Sequence, residues 1–159
     1  MKYITDNSRI LSREELSSPE EITNEIPLDK ESSKLIFGAR RSISQILHRQ
    51  DDRLVVVVGP CSIHDPKSAI EYAELLKEFS ATVENELMVV MRVYFEKPRT
   101  TIGWKGLIND PRIDNSFKIN EGLRVSRKLL KDIADLGMPT GTEFLDLISP
   151  QYVSDLVSW

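Results

Sequence analysis

Basic side chains cluster directly after one short apolar stretch of the chain. Residues 87–91 are all apolar, which is typical of a strand covered on both faces. The cations that follow within residues 92–105 are Arg92, Lys97, Arg99 and Lys105, and Glu96 is the only acid among them. Pro98 restricts its own backbone and favours an extended Lys97, so the loop cannot relax into a helix. Cations held at the end of a buried strand suit phosphate or carboxylate ligands, and the alternative interpretation is an ordinary solvated loop.

A second candidate for chemistry is the segment 59–65, which reads Gly-Pro-Cys-Ser-Ile-His-Asp. Cys61 and His64 are three residues apart and could both bind a metal ion. A lone cysteine at a strand end is more often a small buried hydrophobic residue, so that alternative stays open. His48 is the only other histidine and lies in an amphipathic pattern. The sequence therefore holds too few cysteines and histidines for a complete zinc site.

Composition limits the classes of partner. The chain has 159 residues with 21 Lys and Arg against 25 Asp and Glu, a net charge of −4, which argues against nucleic acid and acidic membranes. A cationic loop on an acidic chain indicates a small anionic ligand instead. Apolar runs stay well short of the roughly 18 residues that span a bilayer, and charges run through the N-terminus where a signal peptide would be apolar. With a single cysteine no disulfide can form within the chain, so we expect a cytoplasmic protein.

Helices precede the first strong strand. A polar arm over 1–13 leads to a short helix that begins at Ser18-Pro19 and ends before Pro27. Helical spacing of apolar residues then predicts a longer helix over 30–49. We divide the chain into this N-terminal part, 1–50, and an α/β part, 51–159. The arm could cover the end of a barrel, exchange contacts with another subunit, or be a frayed terminus.

Strands and helices alternate through the rest of the chain. We predict strands over 54–58, 87–93 and 140–145, and helices over 65–79, over 123–136 with Gly137 as a left-handed cap, and from Ser149-Pro150 onward. Such alternation predicts parallel strands joined by right-handed crossovers. The predicted fold class is α/β, as the first three β/α units of a TIM (β/α)₈ barrel, which needs about 250 residues in all. A small three-stranded α/β domain is the alternative. Glu143 and Asp146, at the end of the third strand, could be acid–base groups or helix caps.

Three motifs carry a resemblance to a known family. They are residues 59–65, Gly-Pro-Cys-Ser-Ile-His-Asp; residues 92–100, Arg-Val-Tyr-Phe-Glu-Lys-Pro-Arg-Thr; and residues 103–111, Gly-Trp-Lys-Gly-Leu-Ile-Asn-Asp-Pro. Together they resemble the class I 3-deoxy-D-arabino-heptulosonate 7-phosphate (DAHP) synthases, and the likeness extends to 137–159. Members of that family are much longer, so the resemblance implies that this chain corresponds to their N-terminal portion.

The resemblance implies a reaction: phosphoenolpyruvate and erythrose 4-phosphate condense to DAHP with release of phosphate, the first step of the shikimate pathway. It implies that Cys61 is one ligand of a divalent metal ion, which could be Mn, Fe, Co or Zn. It also implies that Arg92 binds phosphoenolpyruvate and that Lys97 contacts the same substrate near the reacting atoms as the catalytic lysine. Arg99 and Thr100 would hold erythrose 4-phosphate. The Lys-Pro-Arg-Thr sequence favours this four-carbon sugar over arabinose 5-phosphate.

In this family the other metal ligands and further phosphate-binding residues lie in later strands, beyond the position of Trp159. We therefore expect the 159-residue chain alone to be inactive. The alternative is a truncated, non-catalytic product that associates with a full-length synthase. The likeness is strongest to the phenylalanine-regulated type, in which Pro150 and Gln151 would contribute to an effector pocket of a dimer or tetramer. A plain helix start, with Ser149 as cap and Pro150 at the first position, is the competing interpretation.

Overall fold

The computed structural model describes residues 5–10, 12–99 and 101–159. The helices of this part are α1 (Pro19–Glu25), α2 (Lys30–Leu47), α3 (Pro66–Thr82), α4 (Ile119–Asp135) and α5 (Pro150–Val153), which a 3₁₀ turn continues over Ser154–Leu156. The strands are β1 (Leu54–Val58), β2 (Leu87–Arg92) and β3 (Thr140–Gly141). Thr100, the predicted erythrose 4-phosphate ligand, lies outside the described residues.

The strands form one parallel sheet in the order β1-β2-β3, as the alternation of elements predicts. Leu54 pairs with Leu87 at one end of the β1–β2 ladder, and Met91 pairs with Thr140 across to β3. Strand β2 lies in the middle, and its residues Val89, Val90 and Met91 are buried. Its carboxyl end is the point from which the basic loop departs.

The third strand is shorter than the predicted 140–145. On the β2 side the last ladder bond runs from the Val93 amide to the Gly141 carbonyl, and beyond Val93 the chain leaves the sheet. Residues 142–145 therefore have no neighbour there with which to pair. On the other side the Thr142 amide donates to the Trp159 carbonyl at 3.0 Å and the Ser158 amide donates to the Thr140 carbonyl at 2.8 Å, so the extended residues 157–159 lie alongside β3.

The N-terminal helices begin at side-chain caps and join the main core. Ser18 accepts a hydrogen bond from the Glu21 amide at 3.1 Å, as predicted, and Asp29 caps α2 by accepting from the Ser32 amide at 2.8 Å. Ile22 and Ile36 are buried in the same hydrophobic cluster that contains residues of β2 and α4. The N-terminal helices therefore share one core with the sheet. The division of the chain at residue 50 stays a prediction.

Helices α3 and α4 complete the crossovers. The start of α3 and the end of α4 are as predicted, but α3 continues to Thr82 and α4 begins earlier than predicted, at Ile119. Asp65 caps α3 by accepting from the Lys67 and Ser68 amides. Gly137 has φ +82° after α4, and the Met138 amide donates back to the Ile133 carbonyl, so the left-handed cap is confirmed. Helix α4 presents its apolar face to the sheet, where Leu130 and Ile133 are completely buried.

The final helix departs from expectation. Pro150 is its first residue, as predicted, but the helix lasts only to Val153 before tightening into the 3₁₀ turn. Ser149 makes no capping hydrogen bond, so that prediction is wrong. Asp146 instead accepts the amides of Ile148 and Ser149, at 2.6 and 2.7 Å, which leaves the Ser149 hydroxyl free for a different contact.

One flank of the sheet is open. Among the described residues no strand lies beyond β1, and its side chains are exposed at Leu54, Val57 and Val58. None of the described helices combines the length and apolarity required to cross a bilayer.

Candidate functional site

The two segments singled out in the sequence meet at the carboxyl ends of β1 and β2. A Cβ atom on Gly59 would lie 2.7 Å from the Arg92 carbonyl oxygen, so glycine permits the loop after β1 to pass close to the end of β2. The Ile63 amide then donates to the Tyr94 carbonyl at 2.9 Å. Adjacent carboxyl ends of parallel strands are where α/β folds bind ligands, and both candidate loops lie there.

Cys61 and Lys97 form the tightest contact of the site. The Lys97 Nζ donates to the Cys61 Sγ at 2.9 Å and to the Cys61 carbonyl at 3.0 Å, and the Arg92 Nη2 donates to the same carbonyl at 3.2 Å. The Lys97 ammonium lowers the pKa of the Cys61 thiol, chiefly through this hydrogen bond, and Arg92 adds a smaller effect. Cys61 is exposed, so the buried-hydrophobe interpretation of this cysteine is wrong.

A short β-bridge shapes the basic loop. Glu96 pairs with Gly106 in antiparallel fashion, and the Lys97 amide donates to the Lys105 carbonyl at 3.0 Å. Gly106 has φ +115°, and a Cβ there would lie only 1.9 Å from the Phe95 carbonyl oxygen. The bridge therefore requires glycine at 106, and it sets the direction in which Lys97 leaves the strand.

The two arginines of the loop have different surroundings. Arg92 is half-buried, and its guanidinium lies over the Tyr94 ring at 4.2 Å, a cation–π contact. Its Nε is buried and has no hydrogen-bond partner within the described residues. Arg99 is exposed, and its side chain lies against Gly103 in the same loop. The structure thus brings Arg92, Lys97 and Cys61 together, with Arg99 farther along the loop.

A metal centre is not formed by the described residues alone. No group of three or more His, Cys, Asp and Glu side chains that could hold a metal ion occurs in 5–10, 12–99 or 101–159. The exposed Cys61, whose thiolate form Lys97 favours, has the chemistry of a single metal ligand. The divalent metal stays a prediction.

An acidic cluster that the sequence analysis missed lies behind the basic loop. Glu96 is buried, and its Oε2 accepts a hydrogen bond from the Ser149 Oγ at 3.0 Å. Asp146 contacts the Glu96 carboxyl as well, and it accepts the amides of Ile148 and Ser149 just before α5 rather than those of the helix itself. Glu143 is exposed. The one sequence signal for this cluster was a lone acid among cations at position 96, which an ion pair within the loop would have explained equally well.

The predicted effector residues are next to this cluster in the chain. Pro150, half-buried, and Gln151, exposed, follow Ser149 directly at the start of α5. The Ser149 side chain reaches Glu96, which precedes Lys97. The basic loop and the 150–151 segment are therefore connected through the hydrogen bond between Glu96 and Ser149.

Comparison with known proteins identifies the family. The model of the family described as "DAHP synthetase I family" matches residues 24–159. This chain belongs to that family. The resemblance of the three loop motifs to DAHP synthases is thereby confirmed.

Relatives of this DAHP synthetase family member match it over nearly its whole length. It is 56% identical over 154 residues to the phospho-2-dehydro-3-deoxyheptonate aldolase of Amycolatopsis methanolica, covering 97% of this chain and 76% of that protein. It is 54% identical over 159 residues to the Phe-sensitive aldolase of Escherichia coli K12, covering 100% of this chain and 45% of that one. It thus spans less than half of the E. coli relative's length.

A solved structure supports the same fold. The phospho-2-dehydro-3-deoxyheptonate aldolase of Francisella tularensis SCHU S4 superposes with a TM-score of 0.90 at 52% identity, covering 94% of this chain and 44% of that one. The α/β architecture with its parallel sheet is therefore shared with a member of the family.

Proposed function

We propose that this chain is part of an enzyme that condenses phosphoenolpyruvate with erythrose 4-phosphate to give DAHP and phosphate, the first step of the shikimate pathway. The observation that carries the proposal is the convergence of Arg92, Lys97 and Cys61 at the ends of β1 and β2. The match of residues 24–159 to the family supports the same reaction class, a transferase of the aldol type. In the complete fold these strands would be the first three of a (β/α)₈ barrel, with α1 and α2 as an extension before it.

The cations of the site suit the bond changes of this reaction. C3 of phosphoenolpyruvate forms a bond to the aldehyde carbon of the sugar, water adds at C2, and the bond from C2 to the phosphate oxygen breaks. Arg92 offers a planar fork of donors to the carboxylate or phosphate of phosphoenolpyruvate. Lys97 supplies a point charge beside the atoms at which negative charge develops, the role that a fixed cation performs best.

Cys61 would be one ligand of a divalent metal ion, because its thiolate form is favoured and its side chain is exposed. A bound metal would supply a Lewis acid for the aldehyde oxygen. The Lys97 ammonium, next to Cys61, would add a second positive charge beside the metal ion. Both negatively charged substrates would therefore bind against positive charge.

In this proposal the loop after Pro98 determines which sugar phosphate the enzyme accepts. Arg99 is exposed beyond Lys97, where it can reach the phosphate of erythrose 4-phosphate, and Thr100 would be its partner. The test compares erythrose 4-phosphate with arabinose 5-phosphate as acceptor for the full-length gene product and for R99M. We expect turnover only with the four-carbon sugar, and a higher KM for that sugar in R99M. Equal turnover of both sugars would refute the assignment.

Regulation and assembly follow the same proposal. Pro150 and Gln151 would line a phenylalanine pocket in a cytoplasmic dimer or tetramer, and the exposed Phe37 and Leu47 of α2 offer apolar surface for subunit contact. The Phe-sensitive and Tyr-sensitive relatives of E. coli K12 are similarly close, at 54% and 51% identity. The assay therefore compares the two amino acids at millimolar concentration, and inhibition by phenylalanine is the expected result.

The 159-residue chain by itself is proposed to be inactive. The outer edge of β1 has no partner strand among the described residues, and its exposed Leu54, Val57 and Val58 would favour association of the isolated chain. DAHP formation by this purified chain would contradict the proposal.

A further inference from the structure

The acidic cluster of Glu96, Asp146 and Ser149 lies behind the proposed site, and within the described part of the chain its side chains make no hydrogen bond to those of Arg92, Lys97 or Arg99. Glu96 is only 8% exposed although it stands in the most cationic stretch of the chain. Its carboxyl group meets the Ser149 hydroxyl at 3.0 Å and the Asp146 carboxyl group. A buried acid in contact with a second acid needs an explanation, because two carboxylates in contact cannot both stay ionised.

The surroundings decide which of the two acids holds the proton. Burial raises the pKa of Glu96, and the neighbouring Asp146 raises it further. Burial acts on Asp146 in the same direction, but the amides of Ser149 and Ile148 outweigh it and leave the pKa of Asp146 lowered. Of the two acids, Glu96 is therefore the one that keeps its proton to the higher pH. Lys97 follows Glu96 in the chain, with its amide bonded to the Lys105 carbonyl and its ammonium engaged with Cys61, and the Leu145 backbone is a further hydrogen-bond partner of the Glu96 carboxyl.

We propose that Glu96 is a positioning residue for Lys97: as a neutral acid it hydrogen-bonds Asp146, accepts from Ser149, and so fixes the backbone from which Lys97 reaches the substrate. Its main chain is already held on the other side by the bridge to Gly106. The side-chain hydrogen bonds anchor the same residue to the start of α5. Loss of the proton would place two negative charges in contact and release the anchor. The proposal rests on the proposed function of Lys97.

The pH dependence of this anchor has a defined direction. The folded-state pKa of Glu96 is raised above the ordinary glutamate value of 4.5, so the protonated, anchored form is complete below that ordinary value and is lost as the pH rises through the folded-state pKa. Glutamine at 96 keeps a donor toward Asp146 and cannot titrate. E96Q should therefore hold Lys97 in place at every pH, whereas E96A should not. E78Q, at an exposed glutamate of α3, removes the same charge elsewhere and is the matched control.

The test uses the full-length gene product in two measurements. Infrared spectroscopy over a pH titration should show a carboxylic-acid C=O band that persists above the ordinary glutamate pKa in the wild type and in E78Q and is missing in E96Q. Steady-state kinetics should show the KM for phosphoenolpyruvate raised about tenfold or more in E96A, the loss expected for a hydrogen bond that involves a charged group, with a smaller change in kcat. E96Q should stay near the wild type and lack the rise in KM that accompanies deprotonation of Glu96 as the pH increases.

The outcomes separate this inference from the proposed function. Absence of the infrared band in the wild type, or its persistence in E96Q, overturns the neutral-acid anchor whatever the enzyme's activity. A KM in E96Q as high as in E96A, or an unchanged rise of KM with pH in E96Q, overturns the positioning role. A wild-type protein that shows the band but binds no phosphoenolpyruvate overturns the proposed function, and with it the positioning role, while the hydrogen bond between the two acids stands.

Discussion

Arg127 is completely buried, and its replacement should be among the most destabilising substitutions in this chain. Its guanidinium donates to both carboxylate oxygens of Asp155, at 2.7 and 2.8 Å, to the Ile26 carbonyl at 2.9 Å and to the Tyr152 carbonyl at 2.7 Å. One side chain thus joins the end of α1, the middle of α4 and the turn after α5. In R127M those acceptors lose their donors together. The Asp155 side chain is 41% exposed and water can replace its partner in part, so the cost comes chiefly from the two backbone carbonyls, at about 1–3 kcal/mol for each acceptor left unpaired.

Arg124, one turn earlier on α4, is the matched control. It is also paired, with Glu21 and Glu25, but its side chain is 31% exposed against 0% for Arg127. Because water screens an exposed pair, R124M should cost no more than about 1 kcal/mol. Urea unfolding of the full-length gene product, followed by circular dichroism, measures both. Equal losses in the two variants would refute the argument that burial, rather than pairing, determines the cost.

Three further predictions test the loop and the N-terminal helices. G106A should abolish phosphoenolpyruvate binding measured by calorimetry, because its Cβ would lie 1.9 Å from a backbone oxygen, whereas G38A, which meets nothing within 4 Å, should stabilise α2 by about 0.5–1 kcal/mol; normal binding by G106A would contradict this. K97M should slow alkylation of Cys61 at neutral pH in chelator-treated protein, since the thiol pKa is lowered chiefly by Lys97, and an unchanged rate would count against the contact. The pKa of Asp29 is lowered from 3.8 to about 2, mainly by its hydrogen bond from a lysine of α4, so its stabilising effect is complete above 3.8 and disappears as the pH falls toward 2. D29N should flatten the loss of urea stability across that window, and a curve that matches the wild type would exclude the linkage.

Local signals predicted the elements that have strong caps. Asp65 before Pro66, Ser18 before Pro19 and Gly137 after α4 act through their own backbone neighbours, so the sequence alone determines where those helices begin or end. The parallel sheet follows from the same alternation. The sequence predicts that the loops carrying Cys61 and Lys97 lie close together, since both follow neighbouring strands. It does not predict the contact between the two side chains.

Features that depend on contacts between distant residues were not predictable in this way. The third strand stops at Gly141 because β2 leaves the sheet, which no property of residues 142–145 reveals. Ser149 looks like a helix cap, but its hydroxyl is engaged 53 positions away with Glu96. Cysteine is a residue type that is usually buried, but Cys61 is exposed because the loop turns its side chain toward Lys97.

The most direct test of the account is DAHP formation by the full-length gene product and by its K97M variant. The two purified proteins are given phosphoenolpyruvate, erythrose 4-phosphate and a divalent metal ion, and DAHP and released phosphate are measured together. The account predicts equal amounts of DAHP and phosphate in the wild type and loss of both in K97M, with folding unchanged by circular dichroism. Wild-type rates in K97M, or no DAHP from the wild type, would contradict the assignment of the site at the ends of β1 and β2.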